Sequence, residues 1–431
     1  MSFLSVFSPD DIVIVQDDIE ITASEFENLS SKVSGYVEEA FPEESIIGIR
    51  SDNSVYGLIL AVGASLAGKN VLPLSVMNDG AINDYAIEES GCSKFIGYGT
   101  SLDHSDASRV FNLPDHEAVN TPGDFIFLSS GSTGRPKIYL NNVINLSEEV
   151  ASARSELFFS KAEVESRRIF YAAPVMAGIG SYLAFMNIGM VPVYTAGRPT
   201  TETMKSLIDK NNIQISTGRP ALIERFASQG ISDFGSVSVL VSSGQFITKN
   251  NVKYITENMG ISRIIDTYNA SEAGIIGMMD FLNEDSFTLV DDATVHGVFD
   301  EYFEIETASS SATIIDKKIV KEKIKKIDDI VELNGRNLKL IDRAAKKVKV
   351  SGFSVSPEMI KDAFKQIPGI VDCRVVTEAS DSKSSDFIIL EYMGEEQDES
   401  SLAELLAGKI PSHSIPKKFI HKASGDWGLM K

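Results

Sequence analysis

Short buried-strand runs alternate with helical segments as far as about residue 282, and this alternation constrains the fold most. The strand-like runs lie at residues 45–50, 71–74, 93–98, 125–129, 168–172, 191–194, 213–217, 238–242 and 263–266. Repeated strand–helix units are typical of parallel sheets covered by helices, because a parallel neighbour is reached only by a long crossover. The sequence therefore predicts an α/β fold.

Local signals near the N-terminus predict individual elements. Residues 11–22 read as two short strands around 16–18, and Thr22 with Glu25 three residues later forms a capping box. The helix that begins there should run to about residue 40. Residues 54–66 are small and apolar at helical spacing, which predicts a second helix.

The pattern changes after residue 282. Residues 301–306 and 337–341 read as short alternating strands, and residues 308–312 read as a polar turn between them. We expect this more antiparallel subdomain to close the large domain.

Two domains are expected, at residues 1–342 and 343–431. The second reads as strand, helix, two strands and helix, which predicts a small α+β lid. The segment 340–352 is charged and has no large aliphatic cluster, as expected of a hinge between bodies that move.

The acidic charge belongs to the first domain. The formal net charge is −21; residues 343–431 hold 13 Lys+Arg and 13 Asp+Glu, whereas residues 1–342 hold 27 and 48. A surface this negative repels phosphate backbones and anionic lipid, so the sequence argues against a nucleic-acid or membrane partner.

Cysteine usage and the N-terminus indicate the compartment. Cys92 and Cys373 are too few for a disulfide framework, and they have no metal-ligand spacing with the five histidines. At the N-terminus we find no basic region followed by an apolar stretch, and we expect no membrane-spanning helix. We expect a cytoplasmic protein; the oligomeric state stays open, and a dimer is compatible with the sequence.

A loop rich in hydroxyl groups and glycine follows the run at 125–129. It comprises Ser129, Ser130, Gly131, Ser132, Thr133 and Gly134, with Lys137 beyond it. Glycine lets backbone N–H groups approach an anion, Ser and Thr add small donors, and lysine adds a point charge. The spacing is not that of a Walker loop, and an ordinary Gly/Ser turn is the alternative. The chemistry points to a nucleoside triphosphate.

A second polar cluster follows the run at 263–266. It comprises Asp266, Thr267, Tyr268, Asn269, Ser271 and Glu272. In α/β folds ligands bind at the carboxyl ends of strands, a carboxylate suits Mg²⁺, and an aromatic face suits a purine. Taken singly, Tyr268 would be a core aromatic and Glu272 an acid at a helix N-terminus.

These two segments, SSGSTGRPK at 129–137 and DTYNASE at 266–272, resemble signatures of the acyl-adenylate-forming superfamily. That family includes acyl-CoA ligases, peptide-synthetase adenylation domains and firefly luciferase. The resemblance implies that the loop embraces the β- and γ-phosphates of ATP. It also implies that Tyr268 stacks on adenine, Asp266 accepts from its exocyclic amine, Ser271 approaches the α-phosphate and Glu272 holds Mg²⁺.

Two further segments resemble the family's adenine and ribose motifs. SSGQFI at 242–247 is similar to a turn that lines the adenine pocket, which implies this role for Ser243, Gly244 and Gln245. DDIVEL at 328–333 resembles a segment whose aspartate binds both ribose hydroxyls. The best register puts that role on Asp329, with Asp328 as the alternative.

The C-terminal part resembles the family's hinge and lid. LIDRAAKKVKVSGFSVSP at 340–357 looks like the hinge motif, which implies that Arg343 contacts the ribose or phosphates and that the pivot is Ala345 or Lys346. IPSHSIPKKF at 410–419 looks like a later lid segment, and GLMK at 428–431 implies that Lys431 is the catalytic lysine. A cation there would stabilise the charge that develops when a carboxylate attacks the α-phosphate.

The segment around 172–180 is expected to line the acyl pocket, with Met176, Ala177 and Gly178 as substrate-binding residues. No histidine or aromatic residue lies between Tyr171 and Tyr182, and no aspartate is present to bind an α-ammonium group. A free amino acid bound in that manner is disfavoured. A neutral or acidic acyl or aryl acid is expected instead.

The resemblance implies an ATP- and Mg²⁺-dependent ligase that makes an acyl-adenylate in the cleft between the two domains. A second lid orientation would bring the loop ending at Gly352 to the cleft, where coenzyme A or the phosphopantetheine of an acyl carrier protein accepts the acyl group. An amide-forming ligase and a homologue that has lost catalysis are the alternatives.

Overall fold

The computed structural model describes residues 4–51, 54–75, 80–97, 121–129, 137–144, 146–173, 175–195, 200–218, 234–243, 249–343, 348–350, 353–355, 357–378 and 387–422. Among these residues, no helix combines the length and apolar character that crossing a membrane requires.

The elements follow one another in an alternating order. The strands are β1 (Ile12–Gln16), β2 (Ile19–Thr22), β3 (Ile46–Ser51), β4 (Asn70–Ser75), β5 (Lys94–Gly97), β6 (Phe125–Ser129), β7 (Lys137–Asn141), β8 (Arg168–Phe170), β9 (Val191–Tyr194), β10 (Ile215–Thr217), β11 (Val239–Ser243), β12 (Arg263–Ala270), β13 (Gly274–Asp280), β14 (Phe287–Leu289), β15 (Thr294–Val298), β16 (Phe303–Glu306), β17 (Ser310–Ile315), β18 (Lys318–Lys321), β19 (Lys325–Ile327), β20 (Asp329–Asn334), β21 (Asn337–Arg343), β22 (Val348–Val350), β23 (Phe353–Val355), β24 (Ile370–Glu378), β25 (Phe387–Gly394) and β26 (Lys418–His421). The described helices are α1 (Ala23–Ala40), α2 (Val55–Leu66), α3 (Gly80–Ser90), α4 (Glu148–Ala162), α5 (Val175–Asn187), α6 (Thr201–Lys210), α7 (Lys249–Asn258), α8 (Pro357–Lys365) and α9 (Glu399–Leu406).

Two large sheets carry the N-terminal part. The first has eleven strands in the order β2-β1-β9-β8-β10-β11-β12-β13-β14-β21-β20, and the second has seven in the order β18-β17-β7-β6-β4-β3-β5. Each sheet has a parallel half built from strand–helix units, and each is extended by antiparallel strands from later in the chain. The predicted α/β fold is confirmed.

Local sequence explains where the first helices begin. Thr22 caps α1 by accepting from the Glu25 backbone N–H, and Ser54 caps α2 by accepting from the Tyr56 N–H. Both predicted helices are therefore confirmed. Helix α2 is buried on every side over residues 55–65, as expected of a helix that is apolar all round.

The core that supports the site lies where α2 and α5 pack between elements of the two sheets. Val55, Leu58 and Ala61 of α2 share one cluster with Ile179 and Leu183 of α5 and with core residues of the neighbouring strands. Burial of each larger apolar side chain contributes roughly 1.5–3 kcal/mol to the free energy of unfolding. Together these contacts fix the relative positions of the two sheets.

The predicted turn at 308–312 is wrong in its second half. Ser310–Ile315 forms β17, which pairs with β7 and β18 in the second sheet. The polar residues Ser309 and Ser310 are buried there, because their hydroxyl groups have partners inside the protein. Polarity alone therefore predicted a turn where hydrogen bonding of the serine hydroxyl groups permits a buried strand.

The C-terminal part has a core of its own. Strands β24, β25 and β26 form a three-stranded sheet, and α8 and α9 pack on it through Phe364, Leu402 and Leu406. A strand, β26, follows the last predicted helix. The division at 342 and 343 stays a prediction, and the proposed pivots Ala345 and Lys346 lie outside the described residues.

Candidate active site

Two of the predicted motifs lie at neighbouring strand ends. Strands β11 and β12 are parallel, and their register sets Ser242 beside Asp266 and Ser243 beside Thr267. The Thr267 hydroxyl donates to the carbonyl of Ser242 at 3.1 Å. Asn269 Nδ2 donates to Thr267 Oγ1 at 3.0 Å. The carboxyl ends of adjacent parallel strands thus bring residues from the two segments together.

Asp266 sits in a desolvated position at this edge. Burial raises the pKa of its carboxyl group to about 7, and a hydrogen bond from the Thr267 backbone partly opposes the rise. Next to it, the Ser242 hydroxyl is fully buried and has no hydrogen-bond partner among the described residues. Two polar groups that the fold leaves incompletely satisfied fit a polar ligand such as a purine amine.

Tyr268 links this edge to the predicted ribose residue. Its hydroxyl donates to Asp329 Oδ2 at 2.6 Å, and both side chains are buried. The ring packs near Phe287 and Phe303, with centroids 5.4 and 6.3 Å away. The side chain therefore has a core role, as the alternative reading of this residue predicts; its stacking on adenine stays a prediction.

The two candidate ribose aspartates have different surroundings. Asp329 contacts Tyr268, whereas Asp328 lies 3.7 Å from Lys326 Nζ. The β20–β21 register places Asp329 opposite Arg343, the other residue predicted at the ribose. The choice between Asp329 and Asp328 at the ribose stays a prediction.

A turn after β12 joins the second motif to the hydroxyl-rich loop. The Ser271 carbonyl accepts from Asn141 Nδ2 at 2.5 Å, and the Ser271 hydroxyl donates to the Leu128 carbonyl at 3.3 Å. Leu128 lies in β6, which leads into the loop, and Asn141 lies in β7, which leaves it. The turn that carries Glu272 is therefore held against both strands that flank the loop.

Lys137 begins β7 opposite Ser129, and its side chain is exposed. Side chains two residues apart on a strand share a face, so Lys137, Tyr139 and Asn141 lie in one row. Ser130, Gly131, Ser132, Thr133, Gly134, Gly244, Gln245, Gly352 and Lys431 lie outside the described residues.

Glu272 is half-buried, and its negative charge acts on the buried Lys325. No group of three or more His, Cys, Asp and Glu side chains that could hold a metal occurs in the described parts of the chain. One carboxylate nevertheless fits Mg²⁺, because this ion commonly takes one or two protein carboxylates together with substrate phosphates and water. The donor chemistry is thus compatible with the predicted role.

The predicted acyl-pocket segment forms the start of α5. Met176 is buried in the core, and Gly178 lies against the Tyr171 ring, where an added Cβ would be 3.1 Å from Cε1. Ala177 lies between them on the same helix. Tyr171 packs on Tyr182 with ring centroids 4.1 Å apart. The two tyrosines that bound the segment are therefore buried core residues.

Three residues that take part in these contacts were not predicted from the sequence. Asn141 resembles an ordinary strand residue, and its partner is distant in the chain. Tyr182 could have been found by the three- and four-residue spacing of large side chains on α5. Lys325 had a weak signal, because alternation with Ile327 places it on the buried face of β19.

Comparison with family models identifies one family. The family model described as AMP-binding enzyme matches residues 6–296. Bacitracin synthase 2 of Bacillus licheniformis is 18% identical over 465 aligned residues, which cover 96% of this chain and 17% of that protein. The chain therefore spans about a sixth of this curated relative's length.

Solved structures of three kinds share the fold. The o-succinylbenzoate CoA synthetase of Bacillus subtilis has a TM-score of 0.79 at 13% identity, covering 98% of this chain and 94% of that chain. The amide bond synthetase of Marinactinospora thermotolerans has a TM-score of 0.76 at 13% identity, covering 98% and 96%. A fused adenylation–PCP di-domain from Klebsiella oxytoca has a TM-score of 0.74 at 17% identity, covering 96% and 91%.

Proposed function

This chain belongs to the AMP-binding enzyme family, within the acyl-adenylate-forming superfamily, and on that premise we propose that it activates a carboxylic acid with ATP. One observation carries the proposal. The Ser271–Glu272 turn is hydrogen-bonded to both strands that flank the hydroxyl-rich loop, by contacts to Leu128 and Asn141. An acid and a phosphate-binding loop held together suit a metal-bound triphosphate.

The nucleotide would lie along the strand ends. Asp266 and the Ser243–Gln245 turn would take the adenine, while Asp329 and Arg343 would take the ribose. The loop from Ser129 to Gly134, with Lys137, would donate to the outer phosphates. Glu272 would hold Mg²⁺, which when bound neutralises charge on phosphate oxygens.

In the first step an oxygen of the substrate carboxylate bonds to the α-phosphorus. The bond from that phosphorus to the oxygen bridging the α- and β-phosphates breaks, and pyrophosphate leaves. Ser271 would orient the α-phosphate, and Lys431 would stabilise the negative charge that collects on the bridging and non-bridging oxygens. Residues 343–431 would deliver that lysine as a lid over residues 1–342.

The acid is proposed to be neutral and largely apolar or aromatic in its side chain. Residues 169–187, which include the predicted Met176–Gly178 acyl segment, contain no charged residue. The buried tyrosine pair Tyr171 and Tyr182 adds aromatic rings to the apolar core at this segment. A second charge on the acid would be desolvated without a partner at this wall.

A thiol is the proposed acceptor. Its sulfur would bond to the acyl carbon and AMP would leave, with the segment ending at Gly352 brought to the cleft by the second lid orientation. Relatives of the same fold include a CoA synthetase, an adenylation–PCP di-domain and an amide bond synthetase. Coenzyme A, a carrier-bound phosphopantetheine and an amine are therefore the acceptors to compare.

Acid-dependent exchange of labelled pyrophosphate into ATP tests the first step without an acceptor. A panel of neutral aryl and alkyl acids, dicarboxylic acids and amino acids should give the highest exchange with a neutral apolar or aryl acid. Absence of acid-dependent exchange across a broad panel, with folded protein and Mg²⁺ present, would contradict the proposal. Adding each acceptor to the best acid then assigns the second step.

A further inference from the structure

Lys325 is a buried lysine with few partners. Its residue is 2% exposed; Nζ donates to Thr313 Oγ1 at 3.2 Å and lies 5.7 Å from the centre of the Tyr139 ring. Within the described part of the chain, this hydroxyl is its only hydrogen-bond acceptor and no carboxylate lies at salt-bridge distance. An ammonium carries three donors and is costly to bury without a counter-charge. Packing alone does not account for it.

The ammonium lies on the face of β7 that the nucleotide motifs share. Tyr139 stands between Lys137 and Asn141 in the row of side chains on that face. Asn141 Nδ2 donates to the carbonyl of Ser271, and Glu272 is the next residue in the chain. Separate contacts therefore bring Lys325 and the backbone of the turn that carries Glu272 to the same row.

The two charges attract each other. Burial lowers the pKa of Lys325, while the negative charges of Glu322 and Glu272 act to raise it. Glu272 is half-buried, so the interaction is screened less than it would be between exposed groups. The chain thus places a buried cation within electrostatic reach of its proposed metal ligand.

We propose that Lys325 is the internal counter-cation of Glu272 and keeps divalent cations away from that carboxylate until they arrive with the triphosphate. The role rests on the proposed function, since it assigns Glu272 to the metal. A divalent ion alone is repelled by the ammonium. The triphosphate brings several negative charges, so its metal complex is admitted. Lys325 acts through Glu272 and is a positioning residue.

The test is binding of Mn²⁺ alone to the nucleotide-free protein, measured from the electron paramagnetic resonance signal of unbound Mn²⁺. Lys325→Met should tighten binding at the Glu272 site about tenfold, because a neighbouring positive charge is removed. The tightening should vanish when Glu272→Gln is added, which isolates this site from other surface carboxylates.

Lys326→Met is the matched control. It removes the same charge from the same strand, but Lys326 Nζ lies 4.0 Å from the Tyr302 ring centre and 3.7 Å from Asp328. This variant should bind Mn²⁺ as the wild type does. A general effect of net charge would change the Mn²⁺ affinity of both lysine variants equally.

Equal Mn²⁺ affinity in Lys325→Met and wild type would overturn the proposal. So would tightening that persists with Glu272→Gln, which would indicate an adventitious ion only. If Lys325→Met does not fold, Lys325→Gln keeps a donor for Thr313 and serves the same comparison. If the wild type shows no acid-dependent exchange, the proposed function is wrong. The Mn²⁺ binding result still tests the interaction between Lys325 and Glu272 independently.

Discussion

Arg154 and Lys325 are equally buried, at 2% exposure, but their charges are satisfied very differently. Arg154 makes a bidentate pair with Asp292 at 2.9 and 2.5 Å, and Ser309 accepts a third, longer hydrogen bond at 3.5 Å. Lys325 Nζ donates a single hydrogen bond, to the Thr313 hydroxyl, among the described residues. A buried cation whose hydrogen bonds are satisfied stabilises the fold, whereas a buried cation whose hydrogen bonds are incomplete is a candidate for function.

The Arg154 pair joins α4 to two loops. Asp292 also accepts from the backbone N–H of Ala308, next to the start of β17. The pair therefore links the helix to the segment that enters the second sheet. Substitutions on this side should change stability with little effect on chemistry, and substitutions around Glu272 should do the reverse.

Arg154→Met should have the largest effect. It leaves Asp292 buried without its partner, which costs about 3–5 kcal/mol of the free energy of unfolding. Urea unfolding would measure the loss, and exchange per folded molecule should stay near the wild-type value. A decrease of less than about 1 kcal/mol in the free energy of unfolding would contradict the structural role of Arg154. So would a loss of exchange activity in protein shown to be folded.

Lys431→Ala should come next and act on chemistry alone. We expect pyrophosphate exchange to fall about 100-fold or more, on the scale of removing a preorganised charge from a transition state. The urea midpoint should not change. Normal exchange in this variant would remove Lys431 from the proposed mechanism.

Glu272→Gln should lower exchange about 10- to 100-fold, on the scale of perturbing a metal site. The loss should be partly recovered at higher Mg²⁺, and circular dichroism and thermal unfolding should remain those of the wild type. Loss of the fold would instead support a structural role for Glu272 and would erase the contrast with Arg154.

Asp266→Asn should give a smaller, pH-dependent effect. The folded pKa of about 7 lies above the ordinary value of 3.8, so the folded protein binds the proton more tightly and wild-type stability falls between about pH 4 and 7. The variant lacks this loss. Above pH 7 it should be more stable by about 1–2 kcal/mol, since partial exposure reduces the full effect. Unfolding at pH 4 and pH 8 measures the difference; equal differences at both would contradict the assignment.

Tyr268→Phe should have the smallest effect. It removes the hydroxyl that orients Asp329 but keeps the ring, so the KM for ATP should rise about threefold to tenfold, for about 1 kcal/mol of hydrogen bonding. The preference for ATP over 2′-deoxy-ATP should shrink with it. Tyr182→Phe, which removes a buried hydroxyl bonded to the Ala173 carbonyl at 2.8 Å, is the matched control and should keep that preference.

Short-range signals predicted much of the architecture. The cap at Thr22, the helix predicted at 54–66 and the run at 125–129 coincide with the observed elements. The two motifs that carried the family resemblance also led to the correct superfamily. The turn expected at 308–312 failed, because its buried hydroxyl groups find partners that the local sequence does not reveal.

Pairings across long stretches of chain were not predictable in the same way. Asn141 reaches Ser271 across 130 residues, Tyr268 reaches Asp329 across 61, and the attraction between Lys325 and Glu272 joins two different strand ends. Periodicity and capping depend on interactions between residues a few positions apart, so a short stretch of sequence is enough to predict them. Which distant polar groups meet depends on how the sheets pack, and that packing gives Arg154 a carboxylate partner but gives the equally buried Lys325 only a hydroxyl acceptor among the described residues.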